Sequence, residues 1–163
     1  MKVFNSTLLA LGFALAAGGA SAQLKLPPGK APTAPAAAPA VAEPTPEAKD
    51  MMAAATLAAS GWLSLLDRRD WGRAWETSAA MFRSTVPLAS WMEGVPKARD
   101  LGNFVSREPS EAVYRKTLEG RPNGDYVTLI YGSNFSNKPE VAEIVTTVRE
   151  ADGKWRVTGY QTR

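Results

Sequence analysis

The chain divides into two halves by the spacing of its hydrophobic residues. Between residues 51 and 95 the apolar side chains recur every three or four positions, which places them on one face of an α-helix. After Gly102 apolar and polar residues alternate, which is typical of strands that bury one face. Helices followed by an antiparallel meander predict an α+β domain, in which the amino-terminal helices pack on one face of a curved sheet.

The first predicted helix has a clear start. Thr45 is a good capping residue, Pro46 suits the first helical position, and Glu47 places an acid in the first turn. We expect this helix to end within residues 67–69. Gly61 costs up to about 1 kcal/mol relative to alanine inside a helix, and we interpret it as a point of close packing. The predicted inward stripe consists of Met51, Ala55, Ala58, Trp62, Leu65 and Leu66.

Two further helices are predicted before the sheet. Asp70 is the expected cap of the second helix. Its buried residues are predicted to be Trp71, Trp75, Ala79 and Phe82. Pro87 is expected to open the third helix. The predicted buried side of that helix consists of Leu88, Trp91, Met92 and Val95. We expect a break at residues 94–96, because Pro96 lacks an amide hydrogen and clashes with the preceding turn.

The alternating half predicts a meander of short strands. The segments RPNGD (residues 121–125) and ADG (residues 151–153) have the composition of tight turns. In the last strand we expect Trp155 to pack on the helices, while Lys154, Arg156 and Thr158 point outward. The predicted strands are residues 104–107, 112–118 (joined to the first across Pro109), 126–135, 141–150 and 154–161.

The amino terminus predicts export. Residues 1–22 have a basic start, an apolar run of ten residues and Ala-Ser-Ala before Gln23, as in a signal peptide cleaved after Ala22. The apolar run is too short to span about 30 Å of hydrocarbon, so we expect no stable membrane insertion. Residues 23–46 are predicted to be a disordered Pro/Ala-rich linker. Residues 47–163 then form a single domain, which we expect to be periplasmic or secreted.

The composition excludes several kinds of chemistry. The 163 residues include neither histidine nor cysteine, which excludes a Ser-His-Asp triad, a cysteine nucleophile and a zinc site of such ligands. The chain has no glycine-rich nucleotide motif. We therefore predict no cofactor, no metal ligand and no catalytic residue. The 19 Lys and Arg and 16 Asp and Glu are spread along the chain, which argues against nucleic acid as a partner.

Four residues are candidates for binding. Arg99 and Arg107 flank a short segment and, if both point into a concave face, can hold an anionic group with paired donors. The alternative is that they form ion pairs with Asp100, Glu143 or another sheet carboxylate. The remaining candidates are the helical tryptophans Trp75 and Trp91.

Three carboxylates surround the predicted junction of the first two helices. Asp67, Asp70 and Glu76 are hypothetical general acids or bases, because burial against Trp71 or Trp75 raises the pKa of a carboxyl group. The alternative is that these carboxylates cap helices and form surface ion pairs with the neighbouring Arg68, Arg69 and Arg73.

Four segments of the chain resemble a known exported bacterial family. The segments are WLSLLDRRDWGRAW, ARDLGNFVSR, NGDYVTLIYGSNF and EIVTTVREADGKWRVTGY. Over residues 48–160 they resemble domain-of-unknown-function family 4019, which implies an exported domain and no particular activity. The layout of helices and sheet is also similar to the NTF2-like superfamily, or to a cystatin-like fold. NTF2-like domains include isomerases, ligand carriers and assembly domains.

Three functions are consistent with these observations. The first is an exported, non-catalytic domain that binds a small envelope ligand or a protein partner. The second is an isomerase-type or other small-molecule enzyme with a carboxylate base. The third is a structural domain that forms a homodimer through its sheet. An apolar, exposed sheet face favours association, whereas a pocket with a desolvated aspartate favours the enzyme.

Overall fold

The computed structural model describes residues 43–163, which form four helices followed by four strands. Each strand pairs antiparallel with the next one along the chain, so the sheet order is β1-β2-β3-β4. This confirms the α+β layout. The elements are α1 (Pro46–Asp67), α2 (Trp71–Glu76), α3 (Ala80–Thr85), α4 (Leu88–Ala98), β1 (Phe104–Arg115), β2 (Tyr126–Phe135), β3 (Val141–Arg149) and β4 (Trp155–Thr162).

The amino-terminal predictions concern a different part of the chain. The signal peptide, and the predicted linker up to residue 42, lie outside the described residues. Within residues 43–163 no helix combines the length and the apolar character needed to cross a bilayer.

Helix α1 begins and ends as the sequence predicts. The Thr45 side chain accepts a hydrogen bond from the backbone N–H of Ala48 at 3.2 Å. The predicted inward stripe is wrong at Met51 and Ala58, which are only half-buried, because the apolar surface of α1 is wider than the face that the rest of the domain covers. Leu65 is also half-buried but packs against the core, as predicted. The buried residues are Ala55, Ala59, Trp62, Leu63 and Leu66.

The interpretation of Gly61 is also wrong. An added Cβ at Gly61 would have no atom within 4 Å, apart from its own helix and chain neighbours. Close packing therefore does not account for this glycine.

The predicted second helix is two short helices, α2 and α3. The Ser78 hydroxyl donates back to the Ala74 carbonyl at 2.7 Å. The Ala79 N–H donates to the Val157 carbonyl in β4 at 2.8 Å. A bond to the sheet thus replaces the helical bond of Ala79, which is why the chain turns between α2 and α3.

The predicted break in the third helix is wrong, because α4 runs through Pro96. The proline lies in the last turn, so its missing N–H removes a single helical bond, to the carbonyl of the half-exposed Met92. The Arg99 N–H donates to the Val95 carbonyl at 2.9 Å and closes the helix. Val95 before the proline and Arg99 after it are both buried, which holds the two sides of the proline against the domain. The predicted burial of Leu88 and Met92 is wrong, because both side chains face solvent and are 42% and 43% exposed.

Strand β1 is continuous, where two strands were expected. Its pairing with β2 shifts register between Pro109 and Glu111. A proline is tolerated at a bulge of an edge strand, because its nitrogen does not have to donate to a neighbouring strand. β1 also ends earlier than predicted, at Arg115 instead of Leu118.

The core lies between the helices and the inner face of the sheet. The Trp62 indole N–H donates to the Ala74 carbonyl at 2.7 Å, and its ring lies 5.9 Å from Trp91 and 5.4 Å from Tyr160. Tilted aromatic pairs of this kind are favourable beyond the area that they bury. Trp155 packs against this core, as predicted, but is only half-buried.

Strand β4 contains an irregularity that the sequence does not predict. Val157 lies opposite Thr147, whereas Gly159 lies opposite the adjacent Thr146, so Thr158 is an extra residue in the pairing. Val157 and Thr158 are both buried. The expectation that Thr158 points outward is therefore wrong.

Candidate functional site

Four charged side chains from four elements meet in what we call the charge cluster. Asp67 is the last residue of α1, Arg99 caps α4, Arg107 lies in β1 and Glu143 lies in β3. The strand pairing brings Arg107 and Glu143 together across β2. Arg107 lies opposite Ser133, and Glu143 lies opposite Tyr131, two residues earlier in the same strand. The cluster therefore depends on both the helix ends and the register of the sheet.

Asp67 uses both of its carboxylate oxygens within the cluster. Its Oδ1 accepts from Arg99 Nη2 at 2.5 Å and from Arg107 Nη2 at 3.0 Å. Its Oδ2 accepts from Arg107 Nη1 at 2.8 Å. Two parallel bonds from one guanidinium group to one carboxylate are the strong, geometrically specific form of this interaction.

Glu143 is the most deeply buried member, with a side chain that is 0% exposed. Its Oε1 accepts from Arg99 Nη1 and from the Tyr160 hydroxyl, the latter at 2.7 Å. Its Oε2 accepts from Arg107 Nε at 2.7 Å and from the Ser133 hydroxyl at 2.5 Å. Within residues 43–163 no buried side-chain nitrogen or oxygen lacks a hydrogen-bond partner.

The surroundings keep two hydrogen-bond donors of the cluster, Arg107 and Tyr160, protonated. Burial alone lowers the pKa of Arg107, but its hydrogen bond to Asp67 and the charge of Glu143 outweigh this, so the pKa of Arg107 is raised. Burial, and then the negative charge of Glu143, raise the pKa of the Tyr160 hydroxyl. Tyr160 therefore remains the neutral donor that its hydrogen bond to Glu143 requires.

Aromatic rings cover the two guanidinium groups. The Phe135 ring centre lies 4.8 Å from Arg99 Cζ, and the Phe104 ring centre lies 4.7 Å from Arg107 Cζ. Such cation–π contacts stabilise a cation and keep water from its flat face. Phe104 remains 41% exposed, so it forms the outer cover of the cluster.

The ion pairs of the cluster connect the helices to the sheet and stabilise their packing. Two arginines and two carboxylates give it no net charge, and an anionic ligand would have to displace Asp67 or Glu143 from the guanidinium groups. Breaking a buried ion pair by removing one partner costs about 3–5 kcal/mol. The adjoining cavity, lined by Asp67, Arg99 and Phe104, measures about 10 Å³, room for about one water molecule.

The structure places the predicted arginines together, as the anion-binding hypothesis requires, but with carboxylates between them. Ion pairing of Arg99 and Arg107 with Glu143 is the alternative that the sequence left open. Asp100 is exposed and takes part in none of the ion pairs within residues 43–163. The binding of an external anion by these arginines stays a prediction.

The predicted tryptophans lie apart from the charge cluster. Trp91 is buried, and its indole N–H donates to the Trp71 carbonyl at 2.7 Å. Trp75 is half-buried, and its indole N–H donates to the Val86 carbonyl at 2.7 Å. Both polar groups are therefore used within the domain, and the role of these residues in binding stays a prediction.

The three carboxylates proposed for acid–base chemistry do not share a site. Asp70 caps α2 by accepting from the Arg73 N–H at 3.4 Å, which is the capping alternative. Glu76 is exposed at the end of α2. Asp67 pairs with the distant Arg99 and Arg107. Within residues 43–163 no group of three or more potential ligands is placed to hold a metal ion.

A second feature, which we call the α1 groove, is open to solvent. Near the amino end of α1 a depression of about 370 Å³ is lined by Glu47, Asp50, Met51, Ala54 and residues that include Trp155. Near the carboxyl end a depression of about 280 Å³ is lined by Ala58, Gly61, Leu65, Lys154, Trp155 and their neighbours. Trp155 lines both depressions, which follow one another along α1 beside β4, and the α1 groove comprises the two together.

Sequence reasoning missed the α1 groove and two members of the charge-cluster network. The contacts of Ser133 and Tyr160 with Glu143 depend on strand register and have no sequence signal. The groove has one, because its α1 residues are separated by three, four, three and four positions, the spacing of a helix–helix contact. These residues are Met51, Ala54, Ala58, Gly61 and Leu65.

Comparison with known proteins gives one match. The family model described as "Protein of unknown function (DUF4019)" matches residues 58–160. The matched span contains the whole charge cluster and the carboxyl-end half of the α1 groove, and it confirms the resemblance that the sequence indicates. A search of curated proteins finds no match.

Proposed function

The chain belongs to the DUF4019 family, and we propose that its described domain is a non-catalytic module that binds a helical segment of a protein partner in the α1 groove. The observation that carries this proposal is an uncovered heptad-like stripe on α1 beside the half-buried Trp155.

The spacing of the stripe supports a helical partner. Residues at alternating separations of three and four lie along one line of a helix and form the contact seam when a second helix packs on it. From Met51 to Leu65 this line is about 21 Å long, at 1.5 Å per residue. Ala54 and Gly61 are exposed and Met51 and Ala58 are half-buried, so the seam from Met51 to Gly61 is largely uncovered within the described domain. Leu65, at its end, is half-buried and packs partly against the core.

The size of the seam residues supports a close approach. Ala54, Ala58 and Gly61 occupy its middle, and no atom lies within 4 Å of the position of a Cβ on Gly61. Small residues at a contact let two helices approach to the short end of the usual 8–10 Å separation. Gly61 lowers the stability of α1, but the absence of a side chain there leaves space for a second helix to approach.

Trp155 supplies a rigid aromatic wall. It packs against the core through one part of its ring and lines the groove with the rest. Tryptophan is enriched among the residues that contribute most to protein–protein binding. The groove is open along its length and does not enclose its contents, which favours a protein segment over a small ligand, because small-ligand sites bury most of the ligand surface.

The enzyme alternative has less support from the geometry. A general base must be free to reach a substrate proton. Asp67 and Glu143 each accept hydrogen bonds from both arginines of the charge cluster. Their geometry supports a structural role.

Export and the finer fold type are part of the same proposal. We propose that the domain acts in the periplasm or outside the cell, because residues 1–22 have the pattern of a signal peptide. Amino-terminal sequencing of the protein from the envelope fraction should begin at Gln23. A membrane-bound chain that still begins at Met1 would contradict export.

The packing of helices on a four-stranded meander supports an NTF2-like or cystatin-like fold type. Superposition of a crystal structure on such domains tests this assignment.

A photo-crosslinking residue at position 61 tests the binding proposal in cells. We expect a covalent adduct with a polypeptide when the residue replaces Gly61. The matched control is the same replacement at Gly94 in α4, which is also a helical glycine with open space at its Cβ position. The variant at Gly94 should give no adduct. A folded protein that forms no adduct from position 61 would disprove the use of the groove.

A further inference from the structure

We propose that the partner in the α1 groove is a second copy of this chain, with the two α1 helices paired antiparallel about a two-fold axis. The proposal rests on the proposed function, because a second copy is one particular helical partner. Two-fold pairing requires a surface that is complementary to itself, so that each contact occurs twice. The α1 groove meets this requirement in its charges and in its shape.

The charges at the two ends of the groove are opposite. Glu47 and Asp50 lie at the amino end, where the single cation Arg149 leaves a net negative charge. The lining at the other end contains Lys154 and Arg156 and no carboxylate, and Arg156 pairs with Glu150 and Asp152 outside that lining. No ion pair within residues 43–163 includes Glu47, Asp50 or Lys154.

Antiparallel pairing satisfies these charges. It brings the acidic end of each groove next to the Lys154 end of the other copy, twice in each dimer. Parallel pairing would place acidic end against acidic end. Charged residues that flank a helical seam set the orientation of the partner helix in this way.

The shape of the seam is also self-complementary in the antiparallel orientation. One antiparallel register places Met51 opposite Gly61 of the second copy and Ala54 opposite Ala58 of the second copy. The largest seam side chain at the amino end then faces the space that Gly61 leaves open. A knob opposite a hole of this kind is the usual geometry of paired helices.

Leu57 adds apolar surface at the flank of the seam. It is 77% exposed, more than any other large hydrophobic residue that the structure describes as exposed. It precedes the seam residue Ala58 and lies on the side away from the core residues Ala55 and Trp62. Antiparallel pairing covers it, and removing this apolar surface from water favours association.

Sedimentation of the full chain tests self-pairing. We expect the wild-type protein to sediment as a dimer that dissociates on dilution. Gly61→Leu fills the space opposite Met51 and should give a monomer, while circular dichroism confirms that it is folded. Gly94→Leu is the matched control, because it places the same side chain at an open helical glycine outside the groove, and it should remain a dimer.

Cysteine crosslinking tests the register without a disruptive substitution. The chain contains no cysteine, so single introduced thiols report only on their own positions. Ala54→Cys and Ala58→Cys, carried on differently tagged chains and mixed, should form a disulfide between the two tags under mild oxidation. Cα atoms about 4.4–6.8 Å apart permit this bond. Ala89→Cys, on the exposed surface of α4, is the control and should form none with either.

The outcomes separate this inference from the proposed function. A wild-type chain that is monomeric at all concentrations overturns self-pairing. If position 61 then crosslinks to a different protein, the groove still binds a helical partner. A dimer that persists in Gly61→Leu and gives no disulfide between positions 54 and 58 also overturns the inference, and places the interface elsewhere, for example on the sheet. Absence of both dimer and adduct overturns both proposals.

Discussion

The charge cluster and the α1 groove use opposite kinds of residue. The cluster gathers four charged side chains from four elements, and its carboxylates and guanidinium groups are bonded to one another. The groove consists mainly of small and apolar residues of one helix, together with Trp155, and stays open. The charged residues, which the sequence suggests as functional, therefore stabilise the fold. The open surface consists mainly of small and apolar residues of the kind that a protein core contains.

The difference has a physical cause. A buried charge is costly unless it is paired and hydrogen-bonded. Arginines that are buried under aromatic rings therefore require carboxylate partners in the same buried site. Small apolar residues have no such requirement and cost little when they remain exposed. A surface for a transient partner can therefore be built from alanine and glycine more readily than from buried ions.

Removal of a buried carboxylate should have the largest effect. Glu143→Ala leaves two buried guanidinium groups short of an acceptor, and we expect it to lower the free energy of unfolding by about 3–5 kcal/mol. Urea unfolding followed by tryptophan fluorescence measures the change. Glu93→Ala removes an exposed partner of Lys97 and should cost about 0.5 kcal/mol or less. Equal losses of unfolding free energy in the two variants would show that the charge cluster does not stabilise the packing of the helices on the sheet.

A side chain at Gly102 should have the next largest effect. Gly102 has φ +87°, and an added Cβ would collide with Ser136 Oγ and lie 2.8 Å from the Asn137 nitrogen. Strain and overpacking together predict a loss of roughly 2–4 kcal/mol for Gly102→Ala. Gly120→Ala is the control, because its φ of +69° carries the strain without a collision, and should cost about 1–2 kcal/mol. Chemical unfolding of both variants should show this order.

Alkaline pH should weaken the contribution of Tyr160 to the charge cluster. The pKa of Tyr160 is raised in the folded state, so its contribution to stability is complete below about pH 10 and is lost as the pH rises above that value. The loss is at most about 1.4 kcal/mol per pH unit. Unfolding measured across this range should show a smaller loss in Tyr160→Phe. Tyr114→Phe is a second test outside the cluster: hydrogen bonding to Asp125 also raises the pKa of Tyr114, so this variant should likewise lose less stability than the wild-type protein.

Substitution of the open helical glycines should have the smallest effect, and a stabilising one. Gly94→Ala should raise the free energy of unfolding by about 0.5–1 kcal/mol, because alanine loses less backbone entropy. Gly61→Ala should give the same gain in dilute protein and a smaller gain at concentrations where the dimer forms. Thermal unfolding at two concentrations measures the difference. Equal gains at both would show that no helix packs against Gly61.

Local sequence signals determined much of the secondary structure. The cap and proline at residues 45–46 fixed the start of α1, and alternation predicted β2 with its observed bounds. The family resemblance was also evident, because it depends on short motifs. These features follow from spacing and backbone preference within a few residues, which a sequence displays directly.

The tertiary structure decided the points where distant groups meet. Ala79 leaves its helix to donate to Val157, and α4 continues through Pro96 because the buried Val95 and Arg99 hold its two sides. The choice of Glu143 and Asp67 as partners of Arg99 and Arg107 depends on where the strands and helix ends come to lie. The same holds for α1, for which the sequence predicted a single inward stripe of six residues. Only the packing decided which side the sheet covers and which side stays open beside Trp155, because burial is a property of what lies opposite a residue.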